Sequence, residues 1–371
     1  MMTDQEYMKL ALELTKATTG QTSPNPMVGA VVVNNGRIVG LGTHLQAGQA
    51  HAEVHALLMA GDKAGGSTVY VTLEPCSHYG KTPPCCNLLI EKKVKRVVIA
   101  TLDHNPLVRG HGVKKLREAG IDVEVGVLEK EATTINKAFF HYMKTKTPYV
   151  TLKTAMSLDG KIATSTGESK WITGEEARRD VHVYRHQNDG ILVGVNTVIA
   201  DNPSLTTRLP NGGRHPIRII LDTHLRTPLV SKVLTDDLAP TWIITGAHIS
   251  TEQRKLYESS NVQVLSMSTE LISIQELLYT LGEKGILSLF VEGGQSVHAS
   301  FLEEGYFQEL ITYINPKLIG GQNAPTFFGG NGFPSLQDAT LLHIQSIEQM
   351  GQDIKIVAVP RNEVQHVYRN R

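Results

Sequence analysis

His51-Ala52-Glu53, Pro75-Cys76 and Pro84-Cys85 constrain this chain more than any other feature, because together they supply three metal-ligating side chains and one spare carboxylate. A catalytic zinc takes three protein ligands and leaves a fourth position for water, whereas a structural zinc closes all four. His51, Cys76 and Cys85 fill three. Bound zinc lowers the pKa of its water toward ~7, and Glu53 is suited to take that proton and return it to a leaving amine as general base and then acid. The set therefore predicts hydrolytic deamination. A lone Cys or His reads more simply as a core residue; all four residues in this order do not. His51 and His55 share a helix face as in an HExxH site, but no Glu follows His51 directly. Cys86 reads as a small packed apolar residue.

Local structure follows from the same residues. A helix is expected over 50–60. Residues two apart on a regular helix lie on opposite sides, so His51 and Glu53 converge only if the tripeptide straddles the helix start. Each ligand cysteine follows a proline, which is favoured in first helical turns. This places Cys76 and Cys85 at helix N-termini, where the dipole stabilises thiolate.

The chain has 371 residues, enough for two domains with ample core. Its 36 basic and 36 acidic residues balance, so no global field recruits nucleic acid or anionic membrane. Three cysteines are no disulfide framework. The start, Met1-Met2-Thr3-Asp4-Gln5-Glu6, lacks a basic region followed by an apolar run. No stretch approaches the ~20 apolar residues of a membrane span. A reduced, cytoplasmic protein without nucleic-acid or membrane partners is expected.

Apolar residues at Tyr7, Leu10, Ala11 and Leu14 recur with the helical period and predict a helix over 4–18. Strands over 28–33 and 38–41 flank Asn34-Asn35-Gly36, a hairpin-type turn. Strands over 68–72, 96–101 and 122–125 alternate with helices over 52–60, 87–92 and 113–119, an α/β layer. The pattern breaks at Lys144-Thr145-Lys146-Thr147-Pro148, dividing the chain into domains 1–145 and 146–371. Beyond it, strands beginning at Tyr149 and over 190–195, 217–221, 241–245, 287–291 and 354–359 alternate with helices, which favours a largely parallel sheet. Thr173 with Glu176 predicts a capping box, and Ala177, Val181 and Tyr184 continue one apolar face.

Glu292-Gly293-Gly294-Gln295-Ser296 follows an apolar strand and opens a helix, so its backbone amides can approach an anion. No GxGxxG is present, so a Rossmann fingerprint is not supported. Met156-Ser157-Leu158-Asp159-Gly160-Lys161 and the 196–203 segment also lie beyond strand carboxyl ends, where open α/β sheets bind ligands. The three segments together predict a cleft.

At this point the sequence resembles the bifunctional deaminase/reductases of bacterial riboflavin biosynthesis. The 23–30 run Ser-Pro-Asn-Pro-Met-Val-Gly-Ala, the His51-Ala52-Glu53 triplet, the 73–85 run from Leu73-Glu74-Pro75-Cys76 to Cys85, and Asp103-His104-Asn105-Pro106 resemble the deaminase half. Lys153 to Gly160, Gly194-Val195-Asn196-Thr197, Asp201 to Thr206 and Glu292-Gly293-Gly294 resemble the reductase half. The resemblance runs nearly end to end. Eight residues separate Cys76 from Cys85, as in the riboflavin branch, where general nucleobase deaminases carry Pro-Cys-x-x-Cys.

The resemblance implies an α/β protein: an N-terminal cytidine-deaminase-like three-layer domain and a C-terminal dihydrofolate-reductase-like domain. The first would deaminate 2,5-diamino-6-(5-phosphoribosylamino)pyrimidin-4-one with Zn²⁺, and the second would reduce the ribosyl side chain to ribityl with NADPH. It puts Asn25, His44, His78, Lys81 and Asn105 around the deaminase substrate, with Lys81 suited to its phosphate. It puts Ala155, Trp171, Thr197, Asp201, Thr223, Gly294, Gln295, Ser296, Val297, His298, Ala299 and Ser300 where NADP binds. Ser169, Arg185, Leu205, Arg208 and Glu292 fall where the reductase substrate binds, and Lys153 where its sugar would be contacted. Arg185 and Arg208 make physical sense against a phosphate, which guanidinium grips bidentately. His104 in place of a proline and the added thiol of Cys86 are small departures. A homo-oligomer is expected.

Two rival readings are weaker. A nucleic-acid base deaminase with an accessory domain needs a basic, aromatic-lined channel for an extruded base, and the charge balance argues against one. A catalytically inactive zinc or nucleotide sensor needs no uncoordinated carboxylate, yet Glu53 is present.

Overall fold

The computed structural model describes residues 2–79, 83–105 and 108–361, which divide into two units, Met1–Lys146 and Thr147–Arg371. The first unit opens on α1 (Asp4–Lys16), where Thr3 and Glu6 form a capping box. β1 (Gly29–Asn34) turns through Asn35 and Gly36, both at positive φ (48° and 72°), into β2 (Arg37–Thr43). Two left-handed residues in succession match the twist of a tight hairpin. Then come α2 (Ala52–Ala60), β3 (Thr68–Leu73), α3 (Cys85–Glu91), β4 (Arg96–Thr101), α4 (His111–Glu118), β5 (Asp122–Val125), α5 (Glu129–Ile135) and α6 (Lys137–Thr145).

The sheet runs β2-β1-β3-β4-β5, antiparallel at β1–β2 and β1–β3 and parallel through β3, β4 and β5. Successive strand side chains point to opposite faces, and both faces here are apolar because helices cover both. Ala30, Val32, Val69, Val71, Val97 and Ile99 pack against α2, α3 and α4, whereas Val31, Val33, Tyr70, Val98 and Ala100 pack against α1 and α5. Gly42 lets α2 lie directly on β2, since a Cβ there would stand 2.1 Å from the Ala52 carbonyl oxygen. That contact sets the start of α2, where His51 and Glu53 sit.

The second unit contains β6 (Tyr149–Ser157), α7 (Glu175–Gln187), β7 (Gly190–Gly194), α8 (Val195–Asp201), β8 (Ile217–Leu221) and α9 (Lys232–Thr235). β9 (Thr241–Thr245), α10 (Thr251–Lys255), β10 (Val262–Ser266), α11 (Ile274–Glu283), β11 (Ser288–Val291), α12 (Gln295–Glu303), β12 (Glu309–Asn315), β13 (Leu342–Met350) and β14 (Asp353–Pro360) follow. The sheet order is β10-β9-β8-β7-β11-β6-β12-β14-β13, parallel from β10 to β12 and antiparallel beyond. Leu152, Leu192, Ile219 and Ile244 pack with Leu277 and Leu281 of α11 and Phe301 of α12. On the opposite face Phe290, Ile311 and Tyr313 pack with Ala177 and Val181 of α7, and Ile191, Val193 and Ile220 with Val198 of α8.

Two local expectations are corrected. Cys76 lies in the loop after β3 rather than at a helix start, and only Cys85 opens a helix. The cap of α7 is Gly174, and Thr173 with Glu176 makes no capping box. The Gly174 N–H donates instead to Asp353 on β14 (2.7 Å), so a carboxylate from another strand holds the start of the helix. Among the described residues no helix is long and apolar enough to cross a membrane.

Candidate active sites

His51 is the N-cap of α2, with extended backbone (φ −76°, ψ 166°), and Glu53 lies in the first turn, buried at 3% exposure. The change from extended to helical backbone lets the two side chains reach one point. His51 Nδ1 stands 3.3 Å from Cys85 Sγ and 3.6 Å from Cys76 Sγ, and the three ligand atoms all lie within 4.8 Å of one another. A tetrahedral zinc with Zn–S near 2.3 Å and Zn–N near 2.0 Å separates nitrogen from sulfur by about 3.5 Å. The donor set therefore fits zinc in chemistry and spacing.

The Cys85 backbone N–H donates to Cys76 Sγ (3.2 Å), so the N-terminus of α3 serves both sulfurs. The Cys85 thiol, then His51, hold the Cys76 thiol well below the ordinary range, while the Cys76 sulfur and burial push Cys85 up. Zinc held by these residues would keep both sulfurs as thiolates. Burial pushes the Glu53 carboxyl up to about 7, with the Cys76 sulfur adding to the rise. A carboxyl in that range exchanges protons readily near neutrality.

His44 is buried, its ring edge-on to His51 with centroids 5.4 Å apart. Its Nδ1 faces the Ala50 carbonyl (3.1 Å), which places the proton there and leaves Nε2 to accept from Asn25 Nδ2 (3.0 Å). Asn25 is thus gathered beside the candidate metal centre. The Asn105 N–H donates to Asp103 Oδ1 (2.8 Å) on the loop after β4. His78 is exposed on the loop carrying Cys76, and Lys81 lies outside the described residues.

In the second unit the sequence-predicted residues fall along the carboxyl ends of β8, β7, β11 and β6, which are adjacent in that order. Thr223 follows β8, Thr197 and Asp201 lie on α8 directly after β7, Glu292 and Gly294 follow β11, and Lys153 and Ala155 lie on β6. Lys153 Nζ is 3.6 Å from Glu292 Oε2. Arg185 on α7 grips the same carboxylate with Nε (2.6 Å) and a terminal nitrogen (3.0 Å), and donates to the Thr206 carbonyl (3.1 Å). Burial alone would raise Glu292, but Arg185 and then Lys153 outweigh it and hold the carboxyl at about 2. Burial pulls Lys153 below its ordinary value.

Leu205 is buried at φ +52°, a left-handed conformation that a leucine holds only under constraint, and such strain gathers at binding sites. Arg208 is exposed, with its backbone N–H donating to His182 Nδ1 (3.3 Å). Ser169 lies in the loop between β6 and α7, and Trp171 on that loop is 64% exposed with the Arg178 guanidinium 4.8 Å from its ring centre. Gly294 caps α12, where a Cβ would come within 4.0 Å of Thr197 Oγ1, while a Cβ on Gly293 would meet Val297 at 2.5 Å. Within the helix Gln295 and Ser296 are exposed, Val297 and Ser300 half-buried, and His298 and Ala299 buried; His298 faces the carbonyls of Phe327 and Val291.

Glu74 and His182 escape a reading of the sequence alone. Each had a faint signal: an acid directly after the apolar strand β3, and a histidine one turn before Arg185 on the same helix face.

Residues 1–101 match the model of the cytidine and deoxycytidylate deaminase zinc-binding region, and residues 148–356 that of the RibD C-terminal domain. The chain is 52% identical over 370 residues to the riboflavin biosynthesis protein RibD of Bacillus amyloliquefaciens, covering 99% of this chain and 100% of that one. It is 41% identical to RibD of Escherichia coli (strain K12), covering 95% and 98%. Among solved structures it is similar to Acinetobacter baumannii RibD, form 1 (TM-score 0.88, 40% identity, 97% and 99% covered). It is also similar to the diaminohydroxyphosphoribosylaminopyrimidine deaminase/5-amino-6-(5-phosphoribosylamino)uracil reductase of Thermotoga maritima (TM-score 0.87, 37% identity, 96% and 98% covered). Both units are matched and the similarity runs nearly the length of the chain, so this protein belongs to the RibD family, the bifunctional deaminase/reductases of riboflavin biosynthesis.

Proposed function

We propose that residues 1–145 deaminate 2,5-diamino-6-(5-phosphoribosylamino)pyrimidin-4-one and that residues 146–371 reduce the ribosyl side chain of the product to ribityl. The observation that carries the first step is the meeting of His51, Cys76 and Cys85 within 4.8 Å, with buried Glu53 beside them. Those three residues would hold zinc, which supplies a Lewis acid and acidifies water. Glu53 takes a proton from the attacking water and delivers it to the departing amine, so that water adds and ammonia leaves. Asn25, fixed by His44, together with Asn105 and His78 orients the pyrimidine, and Lys81 takes the phosphate.

For the second step, Ala155, Trp171, Thr197, Asp201, Thr223 and 294–300 would hold NADPH, and Gly293 and Gly294 at the start of α12 would allow close backbone approach to it. NADPH supplies the hydride. Lys153 and Glu292 face the sugar, Ser169 and Leu205 line the substrate side, and Arg185 and Arg208 provide guanidinium for its phosphate. Supplying the pyrimidine phosphate with and without NADPH and weighing the products tests both steps. A deaminated species without NADPH and a ribityl species with it are expected; recovery of unchanged substrate refutes the reading.

The partner is a small molecule, and the chain acts as a homo-oligomer. The support is β13, an edge strand whose Ile344 and Ile347 are 51% and 63% exposed. A long edge strand that exposes apolar side chains between polar ones leaves backbone groups available to pair with another chain. Light scattering of Ile347→Lys should give a smaller particle than the parent; equal masses refute that edge as the interface.

A further inference from the structure

Glu74, 4% exposed and directly after β3, is a carboxylate that accepts four backbone N–H groups from residues 103–113. Oε1 accepts from Gly112 (2.9 Å) and Val113 (3.2 Å), and Oε2 from Gly110 (2.9 Å) and Asp103 (3.2 Å). Gly110 is the N-cap of α4, and no side-chain hydrogen bond caps that helix locally. Its first-turn N–H groups would otherwise lack partners, and negative charge there is favourable. Glu74 supplies the cap from another element.

Both arms of this arrangement lead to the deaminase site. Along the chain, Glu74 is followed by Pro75 and then Cys76, whose sulfur belongs to the candidate metal centre. Across space, Asp103 donates its N–H to Glu74 and accepts from the Asn105 N–H, so two hydrogen bonds in series, through Asp103, join the Asn105 backbone to that carboxylate. The Pro75 carbonyl is pressed against α4: a Cβ on Gly112 would stand 2.3 Å from its oxygen. The buried Cys86 thiol donates to that same carbonyl (3.3 Å), which gives the extra thiol a structural use.

We infer that Glu74 is a positioning residue for deamination, locking the Cys76 loop and the Asn105 loop into one geometry through the first turn of α4. A carboxylate is required because only it presents acceptors on both oxygens. A glutamine offers one oxygen and turns its NH₂ against donors. The inference rests on the deaminase reading above.

The test is Glu74→Gln in the full chain, with deaminase kcat and KM, zinc content and NADPH-dependent turnover of already deaminated substrate measured together. A rise in deaminase KM of about tenfold or more is expected, the usual scale for groups that orient a metal site's ligands, with zinc retained and reduction unchanged. Unaltered kcat and KM, accompanied only by a lower unfolding midpoint, would overturn the inference. Gly112→Ala keeps the carboxylate as a chemical group but presses a Cβ against the Pro75 carbonyl (2.3 Å) and Glu74 Oε1 (3.1 Å), so it displaces the same turn and should raise KM likewise; a parental KM in that variant overturns it too. If Glu74→Gln does not fold, amide exchange on the parent protein decides. Asp103, Gly110, Gly112 and Val113 should be protected as one group, and exchange at the pace of open loops counts against the role. Failure of the parent to deaminate the pyrimidine phosphate would instead sink the deaminase reading itself.

Discussion

Glu53 carries its proposed role through burial as much as through identity. In water its carboxyl would stay ionised at neutrality; in the first turn of α2 it is pushed up to about 7. A proton shuttle removed from a site of this kind costs about 10²–10⁴-fold in rate. Glu53→Gln should therefore lose deaminase turnover on that scale, read as ammonia release, while zinc content and NADPH-dependent reduction stay at parental levels. Turnover equal to the parent would remove Glu53 from the chemistry. The same residue-scale logic shapes the second unit, where one buried carboxylate, Glu292, meets the guanidinium of Arg185 and the ammonium of Lys153. A buried charge is tolerable only when it is paired and hydrogen-bonded.

α7 shows how one element carries several demands. Its apolar stripe, Ala177 and Val181, packs on the sheet, Asp180 bonds Tyr313 (2.6 Å) and Lys355 (2.7 Å), and its last turn carries Arg185. Its start is held by Asp353, fully buried, which accepts from Gly174 and from Asn315 Nδ2 (2.6 Å). Asp353→Ala leaves those donors unpaired and should destabilise the second unit by about 1–3 kcal/mol. Both tryptophans, Trp171 and Trp242, lie in that unit, so the urea midpoint of their fluorescence reads it selectively. An unshifted midpoint would deny Asp353 the role. His182, on the same helix, adds a pH dependence. Burial, then the charges of Arg185 and Arg208, lower it to about 4 from 6.5. Between those values the unfolded chain binds the extra proton, so stability is full above about pH 6.5 and falls as pH drops toward 4. Discounted for partial solvent exposure, the loss from pH 7 to 5 is about 1 kcal/mol. His182→Gln should flatten the midpoint's pH profile across that window; an unchanged slope would assign the effect elsewhere.

At the scale of the molecule, two units with separate sheets and cores predict separable activities. Cys85→Ser should lose zinc and deamination, while NADPH oxidation and the tryptophan unfolding curve stay parental; a joint loss would tie the halves together. Much of this organisation was legible from residues near one another in the chain. The Asn34-Asn35-Gly36 hairpin, the apolar periods of the helices, the break near 144–148 and the identities of His51, Glu53, Cys76 and Cys85 rest on backbone preference and side-chain chemistry, which act locally. Other features lay beyond local reach. Thr173 was read as a cap because its helix lies close by in sequence, yet the carboxylate that receives Gly174 comes from 179 residues away. Cys76 opens no helix of its own and draws on the N-terminus of the helix at Cys85. Glu74 reaches α4 across β4, and the antiparallel edge of β14 and β13 closes a sheet that otherwise runs parallel. The sequence by itself determined which chemical groups this protein has and where many of its helices and strands lie, though not every helix start. Tertiary structure alone decided which donors meet which acceptors, because hydrogen bonds between distant residues depend on strand order and close packing, and adjacency along the chain encodes neither.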